Sequence, residues 1–561
     1  MSSAPSEPAS NPSSSSSSGS KRSLDPVFRN ALRYTVSPRE YELLHGYLLS
    51  RAPEQVKKRA PRPKSYAAMV KSGGEYNSDS IRAALRAFVA VYTGFKSWDL
   101  ISQRLLRRKQ TGTRYVALFL PSLGFLELMA WHSATTPPPP KGANARIAAS
   151  FSLILLFHRL LFRFFTRLRA SLLESSSAPF RERNPRVGKA LTSSLTPAIG
   201  AALSGLFLSV APASPLRITI AIYVLTRSLE FGFNALEESR TIFRNGRPSW
   251  FGSWLLMPVC YGQLLHAFVF DRDCFPSAFG DFILRRSPEY IQARPASHPS
   301  HLPYPSTYDI VDALALLSKQ KWPAFTSPIL FPASTKAPKQ PTLARVAPLM
   351  NPAHPLTKHT SCALLHPSDP SCARVHLKYW LRAFPPTLRF LSLVYSAFAL
   401  LSFRKAVADP RLFSAKLAER ILRLAIFITG AIGSAWGSIC LFNAVLPRTF
   451  LSTQRFFLGG MVGGSWAYVA RRGERGNFLY CLRLSLDSFW KVGKRRGWWK
   501  GVQGGDVLVF TAAMAVLGTV YETRKAAVRG PVLRKGIAWA RGEGWEDGVM
   551  EKVKGKGEKE D

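Results

Sequence analysis

The sequence predicts an all-α, multi-spanning helical membrane protein built from two tandem homologous bundles of four or five transmembrane helices each. Three observations predict it. Long apolar blocks alternate with Ser/Pro/Lys/Arg-rich stretches, so a mean hydropathy of −0.01 over 561 residues conceals many segments near the ~20 residues that cross a bilayer. Small residues recur four apart inside those blocks, which lets two helix backbones approach closely, and that geometry matters most where packing drives association. The order of features then repeats at an offset of about 260 residues.

Taken in order, residues 1–80 form a disordered Ser-rich tail followed by a polar, basic head, with a short helical pattern at Glu40–Leu49. The first transmembrane repeat covers 81–286. It starts with an interfacial helix, Ile81–Lys109, that carries Arg82, Arg86, Lys96 and Asp99. Tyr115–Trp131 is apolar but interrupted by Pro121, and Pro137–Pro140 is a stiff break. Ile147–Phe165 gains Arg159, Arg163 and Arg167, which can snorkel to headgroups. Leu195–Ala211 presents Ala201, Gly205 and Ser209 as a small-residue packing face. Ile218–Phe233 carries Arg227 and Glu230, and Phe251–Phe270 closes the repeat.

Residues 287–360 read as a Pro/Ser/His-rich linker with one amphipathic helix at Tyr308–Gln320. The second repeat, 361–540, opens on a cysteine-containing loop. Phe384–Phe403 follows, started by Pro385–Pro386, and Ile421–Leu446 holds Gly433 and Gly437. Arg455–Trp490 combines a glycine helix (Gly459, Gly460, Gly463, Gly464) with an apolar helix bearing Arg483 and Asp487. Asp506–Tyr521 is the final span, and 541–561 is a charged tail.

The net charge is +42 and the isoelectric point is near 10.5. The basic residues flank apolar blocks: Arg107, Arg108 and Lys109; Arg163, Arg167 and Arg169; Lys494, Arg495 and Arg496. That placement points to a bilayer with anionic headgroups as partner, each basic residue contributing on the order of 1 kcal/mol. No nucleic-acid recognition motif accompanies the charge, so nucleic acid is not an expected partner. The small-residue faces also allow a homo-oligomer.

Two constellations carry chemistry. The intramembrane polar pairs Arg227/Glu230 and Arg483/Asp487 stand three and four apart, so each pair shares a helix face and can neutralise itself. They read either as a polar pathway between the repeats or as helix-anchoring ion pairs. Cys362, His366, Cys372 and His376 offer two thiols and two imidazoles to a metal, with a Cys362–Cys372 disulfide or plain loop structure as alternatives, and no metal is assigned on this ground. Cys440 and Cys481 lie in apolar blocks and read as small hydrophobes, and His158 and His266 read as packing residues. GxSxG, Walker A, HExxH and dinucleotide-binding motifs are absent from the sequence, which points to a non-enzymatic protein with no cofactor.

The second half resembles the transmembrane protein 135 family of peroxisomal membrane proteins. The resemblance rests on Cys362, His366 and Pro370–Ser371–Cys372, then a leucine-rich span, a glycine-rich span, and an apolar helix ending near Asp487, Phe489 and Trp490. Leu195–Leu284 is similar to the other repeat of that family, and the glycine spans are distantly similar to mitochondrial inner-membrane preprotein translocase channels. The resemblance implies a peroxisomal membrane protein, with the mitochondrial membrane second, that supports lipid and metabolite handling and peroxisome–mitochondrion homeostasis. The other functions to weigh are a scaffold that recruits organelle division or import machinery, and a translocase-like channel.

Overall fold

A chain crossing a bilayer must satisfy its backbone hydrogen bonds internally, and a helix does so within one segment. Among the described residues the protein is helical, with no strand. The computed structural model describes residues 33–47, 51, 53, 61–71, 75–107, 142–292, 294, 304–332, 340–400 and 403–543. The expected disordered tail, the Tyr115–Trp131 segment, the Pro137–Pro140 break and the last eighteen residues of the charged tail lie outside them.

Two compact units divide the chain, Met1–Ala87 and Phe88–Asp561. In the first, α1 (Pro38–Tyr47) and α2 (Pro63–Lys71) stack the Tyr41 and Tyr66 rings at 4.1 Å. Each hydroxyl donates to a backbone carbonyl, Tyr41 to Pro61 and Tyr66 to Val36. Helix α3 runs from Glu75 to Arg107.

The second unit continues with α4 (Ala143–Leu173), α5 (Ala178–Arg183), α6 (Pro185–Thr192) and α7 (Thr196–Ala202), which passes into a 3-10 helix, Leu203–Val210. Then come α8 (Pro215–Glu238), α9 (Leu256–Phe270), α10 (Ser277–Arg285), α11 (Thr307–Lys319), α12 (Pro341–Met350) and α13 (Thr360–Leu365). The second half holds α14 (Cys372–Leu400), α15 (Phe403–Ala408), α16 (Pro410–Val445), α17 (Arg455–Ser465), α18 (Arg475–Arg495), α19 (Gly505–Thr523) and α20 (Pro531–Arg541).

Among the described residues five helices are long and apolar enough to cross a membrane: α4, the Ser253–Phe270 helix that contains α9, α14, α16 and α19. A sixth arises if α6 and Thr196–Val210, bent by 85°, form one broken span. Among the described residues this is fewer than the expected eight to ten, with the Tyr115–Trp131 segment outside them. Helices α8 and α18, both expected as spans, are not among them. Each carries several charges, Arg217, Arg227, Glu230, Glu237 and Glu238 on one, Arg475, Arg483, Asp487, Lys491, Lys494 and Arg495 on the other.

The two halves do not separate into two bundles. Helix α4 packs on α7, and α16 packs on α17 in the same way. Helix α7 packs on α19 of the other half, and α17 packs on α9. Helix α8 packs on α19, α18 packs on α9, and α8 and α18 touch each other. These helix pairs of one half thus have counterparts in the other, and the last helix of each half is seated against helices of its neighbour.

Glycine makes the central contact. Helix α17 lies between α16 and α9, and its glycines serve both sides. A side-chain carbon on Gly463 would stand 2.7 Å from the Ala431 carbonyl oxygen, and one on Gly459 would run into Ser438, both on α16. On the other side, a carbon on Gly464 would stand 2.6 Å from the Pro258 Cα, and one on Gly460 would run into the Tyr261 carbonyl. Gly433 and Gly437 of α16 receive side chains instead, those of Tyr379 and His376 on α14. In the first half Gly205 meets Thr511 of α19, and Ala201 is fully buried.

Ser209 does not belong to that face. The backbone from Leu203 is 3-10, with three residues per turn, so Gly205 and Leu208 align and Ser209 turns outward. Two other expectations shift. Pro385 and Pro386 lie inside α14, which starts at Cys372 and not at the prolines. The 287–360 stretch does form the expected helix, with a Ser306/Asp309 capping box, but it also supplies Trp322, Val346 and Leu349 to the main apolar core.

Gly460→Leu and Gly464→Leu should each lower stability by about 3 kcal/mol, because the obstructing atoms are backbone. Ser209→Leu should stay within about 0.5 kcal/mol. Thermal unfolding in detergent reads both, and equal melting for all three would contradict this packing.

Candidate functional site

Where α8 and α18 cross, the polar residues interlock. Arg227 pairs with Glu230 on the same helix at 3.0 Å, the pairing the sequence spacing allows. Glu230 also receives Arg475 from α18 at 2.9 Å, a partner that sits too far along the chain for local spacing to show. Arg475 donates to Asn234 as well, at 3.2 Å, and Asn234 donates to the Ala527 carbonyl. On α18, Asp487 pairs with Lys491 at 2.6 Å, and Arg483 is buried with its guanidinium 4.8 Å from the centre of the Tyr223 ring on α8. A second polar seam joins α18 to α9, where Gln263 donates to Ser488 and accepts from Ser485, both at 3.1 Å. A third joins α8 to α19, where Arg217 grips Asp506 through two nitrogens.

Next to these seams lies an apolar cavity of ≈ 90 Å³. Its walls come from α9, α10, α16 and α18, with Tyr261, Phe268, Phe282, Phe427 and Trp436 among them. Gly460 also borders it, so the close approach of α17 shapes its floor. One polar group on the wall stands out. The Asn477 side-chain oxygen is buried and has no hydrogen-bond partner among the described residues, while its amide nitrogen donates to Glu474.

A third cluster sits beside the start of α14. Cys362 of α13, His366 in the following turn, Cys372 and Cys440 of α16 bring their donor atoms within 4.8 Å of one another. The sulfur of Cys362 is 3.8 Å from that of Cys372 and 3.7 Å from that of Cys440. His366 Nε2 is 3.4 Å from the Cys372 sulfur and 3.5 Å from that of Cys440. His376, expected in this set, lies elsewhere: it is one helical turn past Cys372 and its Nδ1 faces the Tyr290 hydroxyl at 3.0 Å. The fourth member is Cys440, which sequence alone presents as a small hydrophobe in an apolar block. Cys362 and Cys372 stand here as free thiols with their sulfurs 3.8 Å apart. His158, read from sequence as a packing residue, is buried against the Ala201 carbonyl at 3.2 Å.

Comparison of the chain with protein-family models, curated proteins and solved structures finds no match.

Glu230 is the shared acceptor of the α8–α18 crossing. Glu230→Gln should therefore lower stability by about 2 kcal/mol, and Lys491→Met should lower it less, since the Lys491 side chain is 42 % exposed. Comparing the two melting temperatures checks the order, and an equal or reversed order would refute it.

Proposed function

We propose that this chain is a non-enzymatic integral membrane protein that takes lipid hydrocarbon into the cavity between α9, α10, α16 and α18, and so serves lipid handling. The observation that carries the reading is the cavity itself, apolar on nearly every wall and bordered by two membrane-length helices, that of α9 and α16. Apolar cavities of about 150 Å³ in other proteins stay dry and accept benzene. This one suits a short segment of an acyl chain or ring system, not a whole lipid. The orphaned oxygen of Asn477 adds a single acceptor, which favours a ligand with a hydroxyl at one end.

The peroxisomal membrane as location, with mitochondria second, rests on the resemblance carried by Cys362, His366 and Pro370–Ser371–Cys372. The mirrored helix contacts support a reading of the halves as two copies of one unit whose helices interleave. Two rival functions have less support. The glycines that suggest a translocase-like channel are taken up by helix contacts, and of the two stretches a scaffold would recruit through, the basic head and the 287–360 linker, the linker supplies residues to the core.

A photoactivatable fatty alcohol should label peptides of α9, α10, α16 or α18 in the detergent-solubilised protein. Ala435→Phe and Ile432→Trp, which fill the cavity, should reduce labelling several-fold at unchanged helical content. Asn477→Leu should reduce labelling by the alcohol more than by the matching hydrocarbon. Labelling spread evenly over the outer helix faces, and unaltered by these variants, would overturn the reading. Imaging a tagged chain against organelle markers tests the location, and a purely mitochondrial signal would overturn the peroxisomal assignment.

A further inference from the structure

We propose that Cys362, His366, Cys372 and Cys440 form a closed, structural zinc site that ties the loop before α14 to the C-terminal end of α16. This inference is independent of the lipid reading.

Four of the six donor–donor separations have the lengths of the edges of a tetrahedral zinc site, and all six are within 4.8 Å. With zinc–sulfur bonds of about 2.3 Å and zinc–nitrogen bonds of about 2.0–2.1 Å, the edges of the tetrahedron are about 3.8 Å between sulfurs and about 3.6 Å from sulfur to nitrogen. The sulfur–sulfur separations of 3.8 and 3.7 Å, and the sulfur–nitrogen separations of 3.4 and 3.5 Å, match those edges. Three sulfurs and one imidazole suit zinc by softness and by geometry. All four positions are filled by protein, as in structural sites, and none is left open for a substrate.

The surroundings orient the donors. His366 Nδ1 is 2.7 Å from the Asp369 carbonyl oxygen, which can only accept. Nδ1 must therefore carry the proton, and Nε2 presents its lone pair to the three sulfurs. The Asp369 carboxylate in turn accepts from the Ser371 backbone and from Lys378, which fixes the turn between His366 and Cys372. Cys372 is the first residue of α14, where the helix terminus favours a thiolate. On the opposite side Asn443, one turn past Cys440, donates to Ser361 beside Cys362 and accepts from the buried Arg455. Cys362, His366 and Cys440 are each at most 5 % exposed. Three thiols gathered there can give up their protons only where a cation balances the charge, and a zinc ion would supply that charge.

The consequence is mechanical. Trp436, on the cavity wall, lies one turn before Cys440 on α16. The metal would fix that end of α16 against α13 and the N-terminus of α14.

The full-length chain, purified in detergent without a polyhistidine tag, should contain about one zinc per chain by elemental analysis. Cys440→Ser and Cys362→Ser should remove most of it, and His376→Ala should keep it. Chelation should lower the melting temperature of the wild type. Cobalt exchanged into the wild-type protein should give a thiolate-to-cobalt charge-transfer band, a readout that does not require the variants to fold. Wild-type protein free of zinc, or zinc retained in full by the folded Cys440→Ser variant, would overturn the proposal. So would a Cys362–Cys372 disulfide, seen as four alkylatable thiols out of six in the denatured, unreduced chain.

Discussion

The bundle depends on backbone meeting backbone. In lipid, association gains nothing from expelling water, so helices hold together by close packing and by polar contacts that have no better partner. Helix α17 offers no side chain at four positions, and two neighbours close on it from opposite sides, α16 through Gly459 and Gly463, α9 through Gly460 and Gly464. Since α16 and α9 also wall the cavity, its width follows from how far α17 lets them approach. Any added atom at these positions would separate two helices at once.

Polar residues settle what glycine begins. Helices α8 and α18 are too charged to face lipid alone, and the interleaving places them against each other and against α19 and α9. Glu230 then holds two arginines from different helices, and Gln263 both donates and accepts across the α9–α18 seam. The Glu230–Arg475 and Gln263–Ser485/Ser488 contacts need the two halves together, because each joins a residue of the first half to one of the second. The apolar spans and the polar helices are therefore parts of one solution, the polar groups of the latter meeting partners on neighbouring helices.

Much of this was legible in sequence and some of it was not, for physical reasons. Four-residue spacing of glycine identified α17 because an α-helix aligns such residues, and Arg227 with Glu230 followed from the same rule. Ser209 escaped the rule because its segment winds as a 3-10 helix, a change that spacing cannot reveal. The start of α14 was misplaced because proline usually marks a helix end, yet Pro385 and Pro386 are held within a continuous helix. His376 looked like a ligand by proximity along the chain, and Cys440 did not. Position in three dimensions exchanged them, since α16 returns to the loop before α14 from far along the sequence. The stretch from 287 to 360 looked like a linker because Pro, Ser and His dominate its composition, while a few large residues such as Trp322 carry its attachment to the core.

The interleaving also sets an order on biosynthesis. A ribosome that has released the chain only as far as Ile291 has delivered α8 and α9 but none of α17, α18 or α19. Glu230 then lacks Arg475, Arg217 lacks Asp506, and the groove that α9 forms with α17 has one wall. Until the second half arrives, those groups of the first half have only water, lipid headgroups or local partners such as Arg227. The contacts that join the halves are accordingly the last of the fold to become available.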